Sequence, residues 1–183
     1  MNREQAWQLI VEQVSNVNLR KHMLAVEAVM RALARRLGED EELWGLAGLL
    51  HDVDYDHTKD DPQRHSLLGA EMLAERGVDP RIVQAVRVHN EVHGLPRETR
   101  LDQALYATDP LTGLIIAGAL IRKPSKLSRV TSEFILNRYK EKGFARGASR
   151  EQIATCQELG LTLEEFVSIG VEAMQGISDD LGL

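Results

Sequence analysis

The stretch Leu46–Asp52 reads Leu-Ala-Gly-Leu-Leu-His-Asp, an apolar run that ends in an adjacent histidine and aspartate. Leu43, Leu46 and Leu50 lie three and four residues apart, which predicts the buried face of an amphipathic helix. An aspartate at the inner end of such a helix needs a compensating partner, because burying an unpaired carboxylate is costly. Imidazole and carboxylate together are ligands for divalent transition metals. We therefore expect a metal ion beside the His51-Asp52 pair.

Helical patterns continue on both sides of this stretch, and no segment alternates polar and apolar residues as a strand would. Ala, Leu, Glu, Arg and Gln are abundant, and aromatic residues make up only 4% of the chain. We expect an all-α fold of seven or eight helices, over about residues 3–14, 18–37, 40–52, 62–76, 80–90, 99–121, 149–159 and 162–181. Pro110 should interrupt or kink the helix over 99–121, since proline removes a backbone hydrogen bond.

The composition limits the class of protein. Hydrophobic residues make up 43% and charged residues 27%, the balance of a soluble globular protein, and the length suits a single domain over 1–183. The apolar stretch Leu111–Ile121 is too short to span a membrane and the N-terminus has no signal-peptide pattern, so we expect a cytoplasmic protein without membrane contact. The single cysteine, Cys156, excludes an internal disulfide and thiolate-rich metal sites, and is expected to be a buried structural thiol.

Charge is unevenly distributed along the chain. The formal net charge of −6 predicts that nucleic acid is an unlikely partner, because polyanions are held mainly by clustered Lys and Arg. Residues 122–150, however, contain nine Lys or Arg against two Glu. Two interpretations of this basic segment are open: it forms the polar faces of surface helices, or it binds the phosphate groups of a substrate. The sequence carries no signal for an oligomeric state.

A loop is predicted over Val53–Asp61, where the sequence lacks helical periodicity. It contains four aspartates, Asp54, Asp56, Asp60 and Asp61. The glycine and the closing glutamate of an EF-hand calcium loop are missing at the required spacing. We therefore interpret this segment as a solvated acidic loop.

Four residues occur in the order of a known motif: His22, the adjacent His51-Asp52 pair, and Asp109 in Tyr106-Ala107-Thr108-Asp109. In these residues the chain resembles the HD superfamily of metal-dependent phosphohydrolases, whose motif is a His, an adjacent His-Asp pair and a distant Asp, all on helices. The resemblance implies a helical HD core over about residues 18–120 and a C-terminal helical extension over about residues 121–183. It also implies that the four motif residues are metal ligands.

Two further histidines, His65 and His89, lie between the His-Asp pair and the distant Asp. They occupy places comparable to the second-metal ligands of the dinucleotide-cleaving branches of this superfamily. The chain departs from those branches, since one of them has paired histidines where His89-Asn90 stands and a Gly-Tyr-Pro element where Gly94-Leu95-Pro96 stands. The resemblance therefore implies one or two ions of Mn, Fe, Co, Ni or Zn, and the number is open.

The activity implied by the resemblance is hydrolysis, by metal-activated water, of a phosphate ester in a nucleotide or related small metabolite. Asp52 would bridge the metal and the nucleophile, or bridge two metals. His65 or His89, if not a ligand, would donate a proton or a hydrogen bond to the leaving group. The candidates for binding the phosphorylated small-molecule substrate are Arg122, Lys123 and Lys126 in the basic segment, or Lys59 and Arg64 beside the acidic loop.

A second hypothesis comes from a different class of protein. The chain would be a non-catalytic, metal-containing helical module that senses a nucleotide or binds a partner protein. The basic segment motivates this hypothesis, and the complete set of motif residues weighs against it.

Overall fold

The computed structural model describes residues 1–183 and contains helices and connecting segments, with no β-strand. The prediction of an all-α fold is therefore confirmed. The helices are α1 (Arg3–Gln13), α2 (Val17–Leu37), α3 (Glu41–Leu50), α4 (Tyr55–Thr58), α5 (Leu67–Glu75), α6 (Pro80–Val88), α7 (Arg100–Leu120), α8 (Ser132–Tyr139), α9 (Arg150–Ala154), α10 (Leu163–Gln175) and α11 (Ser178–Leu181). Short 3₁₀ helices cover Glu91–His93, Leu127–Arg129 and Thr155–Leu159. None of the helices is both long enough and apolar enough for a membrane span.

The first helices begin and end where capping residues stand. Asn2 starts α1 with a capping box, in which it and Gln5 each accept the other's backbone N–H. Asp40 caps α3, its side chain accepting the N–H of Leu43 at 3.0 Å. Gly38 ends α2 with φ 73°, a left-handed conformation that suits glycine. Because these signals are local, the sequence predicts the bounds of α1, α2 and α3 closely.

The interior of the fold is built around α2, which packs against α3, α7 and α10. The helices α2 and α3 approach each other closely at Gly48, where a β-carbon would lie 3.0 Å from the Cα atom of Glu27. Because Gly48 has no side chain, the C-terminal end of α3 can pack directly against α2. Glu27 is buried there, and its carboxylate accepts hydrogen bonds from Arg3 at 2.7 Å and Arg31 at 3.0 Å. These two cations compensate its charge.

The helix α7 runs without a break through Pro110. Of the two predicted effects of Pro110, an interruption or a kink, the interruption is therefore absent. Proline removes one backbone hydrogen bond, but α7 is capped by Thr99 and packs against α2 and α10, and this tertiary packing outweighs the local loss. As a result, Asp109 lies in the middle of a continuous buried helix rather than at a helix end.

The segment between α3 and α5 differs most from the prediction. A short helix, α4, lies inside the predicted loop, and α5 begins at Leu67 instead of Pro62. Ser66 has φ 72°, which a continuous right-handed helix cannot accommodate. Turns over residues 62–66 therefore replace the predicted first turn of the helix.

The C-terminal third is more finely divided than predicted. The basic segment contains α8, which the sequence analysis did not predict, and the last two predicted helices are split into α9, a 3₁₀ turn, α10 and α11. Cys156 is fully buried, as expected for a structural thiol. One hydrophobic cluster extends from Ala6 in α1 to Leu181 in α11.

Candidate metal centre

Six polar side chains from five parts of the chain meet in the interior. They come from α2, the residues directly after α3, the residues before α5, the residue after α6, and the middle of α7: His22, His51, Asp52, His65, His89 and Asp109. We call them the His/Asp cluster. His51, Asp52 and His89 are only 0%, 6% and 3% exposed, so their charges must be compensated by one another or by a cation.

One oxygen of the Asp52 carboxylate faces the side of the cluster formed by α2, α3 and α7. This Oδ2 lies 3.4 Å from Nε2 of His51 and 3.9 Å from Nε2 of His22. The two imidazole nitrogens are 3.2 Å apart. Oδ1 of Asp109 lies 3.0 Å from Nε2 of His22 and 3.9 Å from Nε2 of His51. Both imidazole nitrogens therefore lie within 3.9 Å of a carboxylate oxygen of Asp52 and of one of Asp109.

The other oxygen of Asp52 faces the remaining histidines. Oδ1 lies 3.3 Å from Nε2 of His65 and 3.5 Å from Nε2 of His89. The rings of these two histidines meet edge to face, with centroids 5.1 Å apart. Asp52 therefore stands between two histidine pairs and directs one carboxylate oxygen to each.

The outer nitrogens of the deepest histidines contact backbone carbonyls. Nδ1 of His51 lies 2.8 Å from the carbonyl oxygen of Gly48, and Nδ1 of His89 lies 2.6 Å from that of Val86. A carbonyl oxygen can only accept, so each Nδ1 donates its proton outward. When the ring is neutral, the Nε2 lone pair then faces the cluster, as metal coordination requires.

Thr112 gives His22 the same orientation. Its hydroxyl donates to the carbonyl oxygen of Asp109 at 2.9 Å and lies 3.1 Å from Nδ1 of His22. Since the hydroxyl proton is already used, its oxygen accepts from that Nδ1. Thr112 thus orients one histidine and fixes the backbone beside the distant aspartate.

Asp54 is a buried part of this site, although its sequence context predicts a solvated loop. It is 0% exposed. Its Oδ2 accepts from the backbone N–H groups of Ser66 at 2.8 Å and Gly69 at 2.9 Å, and its Oδ1 accepts from Nδ1 of His65 at 3.0 Å. The solvated-loop interpretation is wrong for this residue, whereas Asp60 is exposed as expected. Asp54 therefore orients the fourth histidine.

These contacts shift the pKa values of the cluster. Burial acts to lower the pKa of His51, but the Asp52 carboxylate outweighs it and raises that pKa to about 9. Burial also opposes the charge of His65, while hydrogen bonds to Asp52 and Asp54 raise its pKa to about 10. Burial would raise the pKa of Asp52, yet its histidine neighbours hold it well below the usual range. Protons on the histidines thus compensate charge that a divalent cation would also neutralise.

The donor atoms and their spacing fit divalent transition-metal ions. Such ions bind imidazole nitrogen and carboxylate oxygen at about 2.0–2.2 Å, so neighbouring ligands of one ion lie about 3.0–3.5 Å apart. Most of the distances within the cluster fall in this interval. Two groups have all ligand atoms within 4.8 Å of one another: His22, His51 and Asp109, and His51, Asp52 and His89. The cluster can therefore hold a metal ion.

The residues predicted to bind the substrate's phosphate groups lie outside the cluster. Lys59 and Arg64 are exposed on the segment that leads to His65. Arg122 is 13 residues beyond Asp109, which at about 1.5 Å per residue puts it about 20 Å along the helix direction. Its guanidinium stacks on Phe134 at 4.3 Å.

Lys123 and Lys126, which were predicted to bind phosphate together with Arg122, follow it in sequence and are exposed. The structure therefore does not bring this trio to the cluster, because the length of α7 separates them. Of the two remaining histidines, His57 is exposed, while His93 lies 2.8 Å from the carbonyl oxygen of His65 through its Nε2. Neither belongs to the cluster.

A cavity of about 300 Å³ opens beside the cluster. His22 and Asp109 line one side, and Ala145, Gly147 and Ala148 line the other. The C-terminal basic segment, which the sequence analysis placed outside the motif, thus forms one wall of the opening. No sequence pattern indicates this wall, because its residues are small and lie far from the motif in the chain.

Comparison with known proteins gives the following matches. The model of the HD domain family matches residues 19–118. Ribonuclease Y of Lawsonia intracellularis is 29% identical over 123 residues, which are 64% of this chain and 24% of that protein. For Ribonuclease Y of Oleidesulfovibrio alaskensis the values are 32% over 98 residues, 52% of this chain and 18% of that protein. Ribonuclease Y of Bacillus thuringiensis is 28% identical over 141 residues, which are 73% of this chain and 26% of that protein.

The chain thus spans about a quarter or less of the length of these relatives. No solved structure matches it significantly. The segment matched by the family model is more than half of the chain, and it includes every member of the His/Asp cluster. The chain therefore belongs to the HD domain family, within the superfamily of metal-dependent phosphohydrolases.

Proposed function

We propose that this protein hydrolyses a phosphodiester or phosphomonoester of a nucleotide-containing substrate at the His/Asp cluster. The observation that carries the proposal is the position of Asp52, whose two carboxylate oxygens each face a different histidine pair at 3.3–3.9 Å. This arrangement suits a carboxylate shared by two ions, as in sites that clamp both the attacking and the leaving oxygen of a phosphate.

We assign the ligands accordingly. His22, His51, Asp109 and Oδ2 of Asp52 would hold one ion, and the remaining two histidines with Oδ1 of Asp52 would hold a second. When bound, ions such as Mn, Fe, Co, Ni or Zn neutralise phosphoryl oxygens and lower the pKa of water. Two ions are favoured over one because the second histidine pair has no other partner for its inward nitrogens than Asp52.

The protein's own side chains position this chemistry. Both His65 and His89 direct Nε2 toward Asp52 and hold Nδ1 on a fixed acceptor, Asp54 and Val86 respectively. This orientation favours a ligand role over the alternative role of proton donor to the leaving group. The half-buried Asp109 faces the cavity, so substrate would enter from that side.

The proposed substrate class is based partly on the names of the relatives. Their name, Ribonuclease Y, supports an RNA-like phosphodiester as the substrate, and the expectation that nucleic acid is an unlikely partner is not supported by them. Net charge averages over the whole chain, whereas the positive charge is concentrated in residues 122–150. We therefore extend the proposed substrates from small nucleotides to dinucleotides and short RNA.

The test begins with protein purified without chelator. Metal content is measured by elemental analysis, and hydrolysis of p-nitrophenyl phosphate, bis-p-nitrophenyl phosphate, mononucleotides, dinucleotides and short RNA is assayed with and without added Mn²⁺. We expect bound metal and turnover of a nucleotide diester that a chelator abolishes. No metal and no turnover with any added metal would refute the proposal and favour the sensor hypothesis.

The variant Asp52→Ala sharpens this test. It should lose metal and more than about 100-fold in turnover, since even outer partners of metal ligands are worth 10–100-fold, while helicity measured by circular dichroism stays near wild type. The matched control is His57→Ala, an exposed histidine whose contact is with Gln13 at 3.2 Å. It should keep both metal and turnover. Full activity in Asp52→Ala would remove this carboxylate from the mechanism.

A further inference from the structure

A second cavity adjoins the opening of the His/Asp cluster. It has a volume of about 480 Å³, and four cations line it, Lys140, Lys142, Arg146 and Arg150. Ala148 lines this cavity and also the cavity of about 300 Å³ that His22 and Asp109 line. Because one residue forms part of both walls, the two cavities are neighbours. We call the second cavity the basic cleft.

Arg150 holds the loop that carries the basic cleft. Six backbone carbonyl oxygens lie 2.6–3.3 Å from its guanidinium nitrogens and accept from its five N–H groups, at least one of which is shared: those of Arg138, Tyr139, Glu141, Phe144, Ala145 and Ala148. Several of these carbonyls belong to or follow the C-terminal end of α8, where a cation is favourable. The loop is therefore a formed surface. Although Arg150 lines the cleft, its donors are used by the backbone and are not available to a ligand.

The other cations of the cleft are unpaired. Lys140, Lys142 and Arg146 are exposed, and none of them makes an ion pair or a side-chain hydrogen bond. The one carboxylate among the lining residues is Glu151, which accepts from Ser149 at 3.4 Å. The cleft thus places an excess of positive charge beside the reaction site of a chain whose net charge is −6. Such cations make charge-assisted contacts with phosphate oxygens.

The wall between the cleft and the cluster is made of small residues. Ala145, Gly147 and Ala148 carry no polar side-chain group, so this wall adds no charge between the cleft and the cluster. We infer that the basic cleft binds a second phosphate group of the substrate whose reacting phosphate lies at the His/Asp cluster. The substrate would then be a phosphodiester with at least one further phosphate, as in a phosphorylated dinucleotide or a longer oligonucleotide. This inference rests on the proposed function.

The experiment compares two substrates that differ only in added phosphate. The dinucleotide ApA has a single phosphodiester, and pApAp has the same diester with a phosphate at each end. We expect the wild-type KM for pApAp to be about tenfold lower than that for ApA. Lys142→Gln/Arg146→Gln should remove most of this preference and leave kcat and the KM for ApA unchanged. Arg76→Gln/Arg129→Gln, which also removes two exposed cations but none from the cleft, should keep the preference.

A binding measurement separates this inference from the proposed function. Fluorescence polarisation of labelled pApAp is recorded with chelator-treated protein at several salt concentrations. The cleft variant should bind more weakly than the control variant and with a smaller salt dependence, since fewer phosphate contacts are made. Weaker binding in the cleft variant alone, without turnover in any protein, would support phosphate binding by the cleft and refute the proposed hydrolysis. Turnover of both substrates with equal KM, or equal binding by both variants, would overturn the inference that the basic cleft binds a second phosphate.

Discussion

Replacing Asp54 with Asn tests whether its carboxylate sets the tautomer of His65. The oxygen of an Asn side chain can still accept from the N–H groups of Ser66 and Gly69, because both contact the same carboxylate oxygen. The amide nitrogen then faces Nδ1 of His65 as a donor. Nδ1 must become an acceptor, so the ring proton moves to Nε2. A protonated Nε2 cannot bind a metal ion, and the histidine pair that faces Oδ1 of Asp52 would lose one ligand.

The expected size of the effect follows from the contacts. Removing an outer partner of a metal-binding histidine lowers metal affinity by about 10–100-fold, and we expect a loss in this interval. Stability should also fall. Hydrogen bonds to a charged acceptor contribute about 1.5–3 kcal/mol each and neutral ones about 1 kcal/mol, so weakening the three bonds of the fully buried Asp54 should cost about 2–4 kcal/mol.

Two measurements check this prediction. Metal affinity is determined by titrating chelator-treated protein with Zn²⁺, and the free energy of unfolding is determined in urea. The control is Asp56→Asn in the same segment, a half-buried carboxylate that accepts from the N–H and hydroxyl of Ser15 at 2.6 Å and has no contact with the cluster. It should bind metal like wild type. Wild-type metal affinity in Asp54→Asn would refute the assigned role.

Three further predictions concern proton release, pH-dependent stability and packing. Because the pKa values of His51 and His65 are raised to about 9 and about 10, metal binding at pH 7 should release about two protons, measurable by calorimetry in buffers of different ionisation enthalpy. In the presence of chelator, these two histidines have higher pKa values in the folded protein than their usual 6.5. Their protonation therefore stabilises the fold fully below pH 6.5, and this stabilisation is lost as the pH rises through about 9–10. The free energy of unfolding in urea, measured at pH values below and above this range, should fall, and an unchanged value would contradict the prediction. Gly48→Ala should destabilise by about 1–3 kcal/mol, because its β-carbon would lie 3.0 Å from the backbone of Glu27. Gly113→Ala, a helical glycine with open space around it, should instead stabilise by about 0.5–1 kcal/mol, and equal effects of the two changes would disprove the packing argument.

The sequence predicts those parts of the fold and site that depend on local signals. Caps such as Asp40 and Gly38 lie beside the helices that they begin or end, so the bounds of α2 and α3 could be predicted. The residues of the His/Asp cluster occur in the order expected from the family resemblance, and the structure brings their side chains together. Their role as metal ligands stays a prediction.

The parts that were missed depend on contacts between distant segments. Asp54 is one of four similar aspartates, and only the positive φ of Ser66 and the bare Gly69 bring backbone N–H groups to it. No local pattern distinguishes it from Asp60. Likewise, Arg150 counts in the sequence as one of nine cations, whereas in the structure its charge is used inside a loop. Pro110 shows the opposite case, in which packing overrides a local signal.

The six carbonyl bonds of Arg150 also bear on how the site is reached. Six carbonyls of this segment share one guanidinium, so losing that group weakens all six contacts together. Amide exchange over residues 139–148 should therefore proceed through a single cooperative event. Because Ala145 and Ala148 belong to this segment and line the cavity beside His22, opening of the segment would also open that wall of the cavity.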